Sequence, residues 1–214
     1  MDEEISVINK NTRNEKIKNF FINNKKSLIG SFIIIILLVF GYFGYQELKK
    51  NKKTALADKY NQIILNFDSK TDENTKKDLI DIIFKKDPTY SPLSLYFIID
   101  NQISSSNDEI NDYFDILINE INLNKEVKNL VIYKKALFNS DFETENNLIN
   151  ILKPIMNSES IWKSHALYLM GEYFYDKKQD LKAKEFFRQI LSDKNSNENI
   201  KIEAQKRLTR DLSE

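Results

Sequence analysis

His165 is the first place to look for chemistry, because a neutral imidazole is the commonest general base and a frequent metal ligand. It stands alone. The 214 residues hold one His and no Cys, so a transition-metal site built from imidazole and thiolate has no second ligand of either type. A nucleophile–base pair would have to use His165 itself. The residues at helical spacing from it are Tyr168, Glu172 and Tyr175, at i+3, i+7 and i+10. Tyr133 occupies the place of Tyr168 one repeat earlier. Tyrosines interleaved with a few charges make up a recognition surface rather than a reaction centre: rigid rings give contact area and hydroxyls give adaptable hydrogen bonds. These five residues are the expected protein-binding groove. Trp162, the only tryptophan, stands at the start of the same predicted helix and is expected to pack against the preceding repeat. Asp78 with Asp81, and Asp108 with Glu109 and Asp112, read as solvated helix faces and not as paired catalytic acids. No glycine-rich phosphate loop is present. The expectation is a protein that is not an enzyme and carries no cofactor and no metal.

Composition narrows the scaffold that must position these residues. Lys plus Arg and Asp plus Glu each number 32, and a balanced chain gives no electrostatic reason to expect nucleic acid. Residues 1–26 hold six basic groups and four acidic ones, which leaves 26 and 28 for the rest. Glycine and proline number only four and three. Strand-and-turn folds need many turn glycines, and Gly171 is the only glycine beyond Gly44, so helices joined by polar turns are expected.

Residues 28–45, LIGSFIIIILLVFGYFGY, carry no charge. At 1.5 Å per residue they span about 27 Å, close to the hydrocarbon thickness of a bilayer. The run Ile33 to Phe40 has no polar face. Tyr42 and Tyr45 lie at one end, where amphipathic rings favour the interface. Lys25 and Lys26 precede the segment, and Lys49, Lys50, Lys52 and Lys53 follow it. A cleaved signal peptide would need a shorter apolar region with a small-residue site just behind it. Ala55-Leu56-Ala57 is too far away, beyond four lysines. The expectation is an uncleaved anchor at 28–46, with residues 1–27 as a short cytoplasmic tail and 47–214 as a helical domain on the other side. Lysine counts near the two ends are too even to orient it, and the short N-terminal tail is what favours N-terminus inside.

Past Lys53, apolar residues recur at helical spacing in blocks of 11–16 residues, a train of antiparallel helix pairs. Ser91-Pro92 reads as a helix start, as does Asn107 or Asp108. Residues 164–197 fit a 34-residue helical-hairpin pattern. Leu167, Met170, Gly171 and Phe174 fall on its first helix, and Ala183, Phe187 and Ile190 on its second. Small Gly171 and Ala183 let the two helices approach while large residues fill the space around them. Ala136 lies 35 residues before Gly171 and Ile98 lies 38 before that, two weaker copies. Ile200 to Leu212 is expected to cap the last repeat. The fold class is therefore all-α: a single N-terminal transmembrane helix followed by a tetratricopeptide-like α-solenoid.

An anchor followed by degenerate repeats resembles the YfgM-like ancillary subunits of the bacterial SecYEG translocon, a family of tetratricopeptide repeat-like membrane proteins. The residues that carry the resemblance are Lys16-Ile17-Lys18-Asn19-Phe20-Phe21 ahead of the span, then Tyr90 and Leu93-Ser94-Leu95. Further along they are Trp162, Leu169, Gly171-Glu172, Lys178-Gln179-Asp180, Ala183, Phe187 and Ala204-Gln205. The resemblance implies an inner-membrane protein with a periplasmic domain. It also implies protein partners among translocon subunits, periplasmic chaperones and exported polypeptides. The same architecture would equally serve as a structural subunit of another cell-envelope assembly.

Overall fold

A computed structural model describes residues 15–16, 18–68, 72–103 and 105–212. Every regular element among them is helical. The chain divides into two compact units, residues 1–57 and 58–214.

In the first unit, residues 18–23 are helical. Asn24 continues the backbone bonding: its N–H donates to the Phe20 carbonyl and its own carbonyl accepts from Leu28. Helix α1 then runs Lys25–Leu65 without a break at residue 46, and none of its residues is buried. It is long and apolar enough to cross a membrane. Phe32, Leu37, Leu38 and Phe40 are all well exposed, an arrangement that water would penalise and a bilayer would not. A Cβ added at Gly30, Gly41 or Gly44 would meet no atom within 4 Å. The last turns of α1 belong to the second unit.

The second unit continues with α2 (Asp72–Ile83), α3 (Tyr90–Asp100), α4 (Asn107–Asn119), α5 (Lys125–Asn139), α6 (Glu145–Met156), α7 (Lys163–Asp176), α8 (Asp180–Ser192) and α9 (Glu198–Lys206), closed by a π-helical turn Arg207–Asp211. Its periodicity is plain in the helix starts. Helices α2, α4, α6 and α8 begin at 72, 107, 145 and 180, steps of 35, 38 and 35. Helices α3, α5, α7 and α9 begin at 90, 125, 163 and 198, the same steps. Burial follows this register. Leu79, Phe114, Leu152 and Phe187 are fully buried at one position, and Ile82, Leu117, Ile155 and Ile190 at another. Each hairpin buries its apolar stripe against its neighbours, as stacked repeats do. The core forms two clusters, one around Leu79 to Val131 and one around Ile132 to Leu212, with partly buried Ile118 packed against both.

The caps explain where helix starts differ from the sequence reading. Helix α3 begins at Tyr90, not after Ser91, because the Asp87 carboxylate accepts from the backbone N–H groups of Thr89 and Tyr90 at 2.8 and 2.9 Å. Ser91 is buried and donates its hydroxyl to the Ile82 carbonyl at 3.0 Å. Pro92 stays within the first turn, where its missing N–H has no intrahelical partner to lose. Helix α4 is capped by Ser106 rather than Asn107 or Asp108, and Glu109 closes a reciprocal capping box. Scarce glycine leaves three helix ends with larger residues in the left-handed region, Lys86 (φ 56°) after α2 among them. Gln102 (φ 51°) and Lys178 (φ 59°) end α3 and α7. At the end of α3, Ile103 donates to Ile98 O and Gln102 to Ile99 O; at the end of α7, Gln179 donates to Phe174 O and Lys178 to Tyr175 O, the paired bonds of a Schellman ending.

Candidate protein-binding surface

Six of the seven residues expected to form the core of the best repeat lie in one buried cluster, and the seventh, Gly171, is buried against it. Leu167, Met170 and Phe174 of α7 are at most 3% exposed, and Ala183, Phe187 and Ile190 of α8 are at 0%. Gly171 faces Phe187 so closely that a Cβ built on it would lie 2.5 Å from the ring. That contact sets the separation of α7 and α8, and with it the direction in which the outer face of α7 points.

The five expected groove residues do not form one patch; they fall into two groups. In the first, the Tyr133 ring on α5 stacks on Trp162 at 5.8 Å, the two planes 20° apart. His165 meets Tyr133 edge-on at 6.0 Å and Trp162 at 5.1 Å. Burial pushes the Tyr133 hydroxyl up. Burial also pushes His165 down, with the Ile161 carbonyl opposing it. Burial thus favours the neutral imidazole, which packs between Tyr133 of one repeat and Trp162 of the next. Among the described residues no group of three or more His, Asp or Glu side chains is placed to hold a metal ion.

The second group, Tyr168, Glu172 and Tyr175, is already engaged. Arg207 donates from Nε and Nη2 to the two Glu172 oxygens at 2.7 and 2.6 Å. It donates from Nη1 to Asp211 at 2.9 Å and lies over the Tyr175 ring at 4.9 Å. Glu172 holds the guanidinium well above its ordinary range. Arg210, then Arg207, holds the Asp211 carboxyl well below the usual carboxylate range. Tyr168 packs on Phe187 at 5.5 Å, and its hydroxyl is raised first by burial and then by the Glu172 charge. Sequence reasoning missed Arg207. A signal for it existed: Arg207 follows Glu172 by 35 residues, the step from α7 to α9, so it holds the same position on the next helix.

Beside this cluster a cleft of about 180 Å³ opens between the turn after α5 and helix α7. It is lined by Ser140, Asp141, Leu169, Glu172, Tyr173, Asp176 and Lys177. The Tyr173 hydroxyl donates to the Glu143 carbonyl at 3.2 Å, which fixes the ring in the wall. Leu137, one turn before Ser140, is 42% exposed. A second, more open hollow of about 320 Å³ lies between the end of α1 and α2, lined largely by amides, Thr75, Ile63 and the Lys59 and Asp78 pair. Neither holds a converging nucleophile and base. The first combines a shaped wall, the Tyr173 ring and a few charges, whereas the second has no ring in its lining.

Residues 18–106 match the family described as a tetratricopeptide repeat-like domain. No curated protein and no solved structure matches. The match takes in the apolar helix, α2 and α3 and stops one residue before α4. The hairpins beyond it carry the same 35, 38 and 35 register. The chain thus has tetratricopeptide-like repeats on an all-helical scaffold, the kind of surface that binds protein partners.

Proposed function

We infer that the chain is a membrane-anchored interaction scaffold whose helical repeats bind polypeptides on the far side of the inner membrane. In this reading it works beside the Sec translocon and periplasmic chaperones, with residues 1–27 in the cytoplasm. The observation that carries the reading is the extent of the family match. One domain model runs through both the long apolar helix, none of whose residues is buried, and the first helices of the repeat unit. Anchor and repeats therefore go together, as in the translocon-associated proteins that the sequence resembles. A tether of this kind raises the local concentration of the repeats at the membrane, so a groove of modest affinity still captures passing chains.

The absence of cysteine makes the test clean. Single cysteines replacing Glu15 and Lys194 are probed with a membrane-impermeant maleimide in spheroplasts, after carbonate extraction has established whether the protein is integral. Labelling of the Lys194→Cys variant alone is expected. The reverse pattern overturns the orientation, and release by carbonate overturns the anchor. A photoreactive residue at Leu137 then reports the partners. Adducts with translocon subunits, chaperones or exported chains support the reading. Adducts only from exposed Leu181, used as the control, count against this surface.

A further inference from the structure

The position shared by Glu172 and Arg207 changes character along the solenoid. One residue on from Ile98, Ala136 and Gly171 it is Ile99 on α3, Leu137 on α5 and Glu172 on α7, with Ile64 of α1 35 residues before Ile99 and Arg207, just past α9, 35 residues after Glu172. Ile64, Ile99 and Leu137 are aliphatic, whereas Glu172 and Arg207 form an ion pair. The cleft is bordered by Glu172 and, across from it in sequence, by Ser140 and Asp141, one turn past exposed Leu137. Three carboxylates border it. Glu172 is neutralised by Arg207, whereas Asp141 and Asp176 are exposed and have no ion pair among the described residues. The one cation in the lining, Lys177, lies over the Tyr173 ring at 5.5 Å.

A second observation comes from the same helix. This face of α7 already holds a guanidinium. Glu172 grips Arg207 by two hydrogen bonds, and the Tyr175 ring lies beneath it at 4.9 Å. A carboxylate fork beside an aromatic face is the environment a guanidinium prefers. The cleft repeats that composition one turn away with Asp176, Asp141 and Tyr173, and it has volume to spare.

We propose that the cleft takes a lysine or arginine side chain of a bound polypeptide, its stem on Leu169 and Tyr173, its charge at Asp141 and Asp176, and an apolar neighbour on Leu137. This rests on the interaction-scaffold reading and narrows it: the preferred segment is apolar with a basic residue in it, and acidic segments are rejected. The wall is fixed beforehand by the Tyr173–Glu143 bond, so little ordering cost falls on the partner. The charges are at the rim, so the preference weakens with salt.

The test uses the full chain in zwitterionic nanodiscs. Three fluorescein-labelled nine-residue peptides share one apolar sequence and differ only in a central Arg, Gln or Glu; binding is read by anisotropy. The Arg peptide is expected to bind about three- to ten-fold more tightly than the Gln peptide, the scale of one or two rim charges. The Glu peptide is expected to be weakest. The Asp141→Asn, Asp176→Asn double variant should bind the Gln peptide as before and lose the Arg preference. Both side chains are exposed, so its melting temperature is expected to stay unchanged. Equal binding of the Arg and Gln peptides, or a preference that survives the double variant, overturns the proposal and leaves the scaffold reading standing. If no peptide binds, the scaffold reading fails at this surface and the proposal fails with it.

Discussion

Gly171 and His165 show how single residues set local behaviour. The Phe187 ring is fully buried and lies within 2.9 Å of where a Gly171 Cβ would stand. Gly171→Ala must therefore push α7 from α8 or force the ring off its rotamer. A cost of about 1–3 kcal/mol is expected, measured as a lower denaturant midpoint with unchanged slope. An unchanged midpoint would mean the two helices part freely. For His165 the sign follows from burial. The folded-state value is depressed, so as pH falls the unfolded chain takes up the proton first. The stability that goes with the neutral ring is complete above the ordinary value of about 6.5 and is lost as pH drops through it. Denaturation at pH 7.5 and 5.5 should show a larger loss for the wild-type chain than for His165→Gln. Equal losses would place the imidazole in water.

Helix α9 and its π turn illustrate how an element is made to end the solenoid. Its residues at the register of Met170, Gly171 and Phe174 are Gln205, Lys206 and Thr209. A following hairpin would have no apolar stripe to cover, which is how a capping helix keeps the array soluble. Ile202, which takes the place of Leu167, is 53% exposed. What fastens the cap is Arg207 on Glu172, with both side chains about one quarter exposed. A double-mutant cycle on Arg207→Ala and Glu172→Gln should return a coupling of about 1–2 kcal/mol. Hydrogen exchange should quicken over residues 198–211 in either single variant. Additive effects with unchanged exchange would show that Ala204 and Leu212, both buried, hold the cap without the ion pair.

At the scale of the repeat unit, stability is a sum of hairpins and their interfaces. Leu152 lies in the middle of the register at 0% exposure. Leu152→Ala should cost about 3–4 kcal/mol. It should also separate unfolding of the cluster around Leu79 to Val131 from that of the cluster around Ile132 to Leu212, giving two thermal transitions where the wild-type unit shows one. A single lowered transition would mean that contacts through Ile118 couple the clusters more strongly than nearest-neighbour stacking allows.

Much of this architecture was legible before any coordinates. An uninterrupted apolar stretch, helical spacing of Ile and Leu and the near-absence of glycine each report on local physics: hydrocarbon length, helix period and turn chemistry. The phase linking Ile98, Ala136 and Gly171 could be read for the same reason, since small or aliphatic residues recur wherever two helices must touch. Other features depended on which side chains meet across helices. Spacing alone gathered His165, Tyr168, Glu172 and Tyr175 onto one helix face, with Tyr133 at the matching place one repeat earlier, as a single groove. Tertiary packing divides them, because Trp162 takes up Tyr133 and His165, and Arg207 the other three. Arg207 was hidden because ion pairs between successive repeats leave no hydrophobic period, only a matching position 35 residues on. The cleft at Asp141 and Asp176 was hidden because a turn residue and a helix residue become neighbours only when α5 and α7 stack.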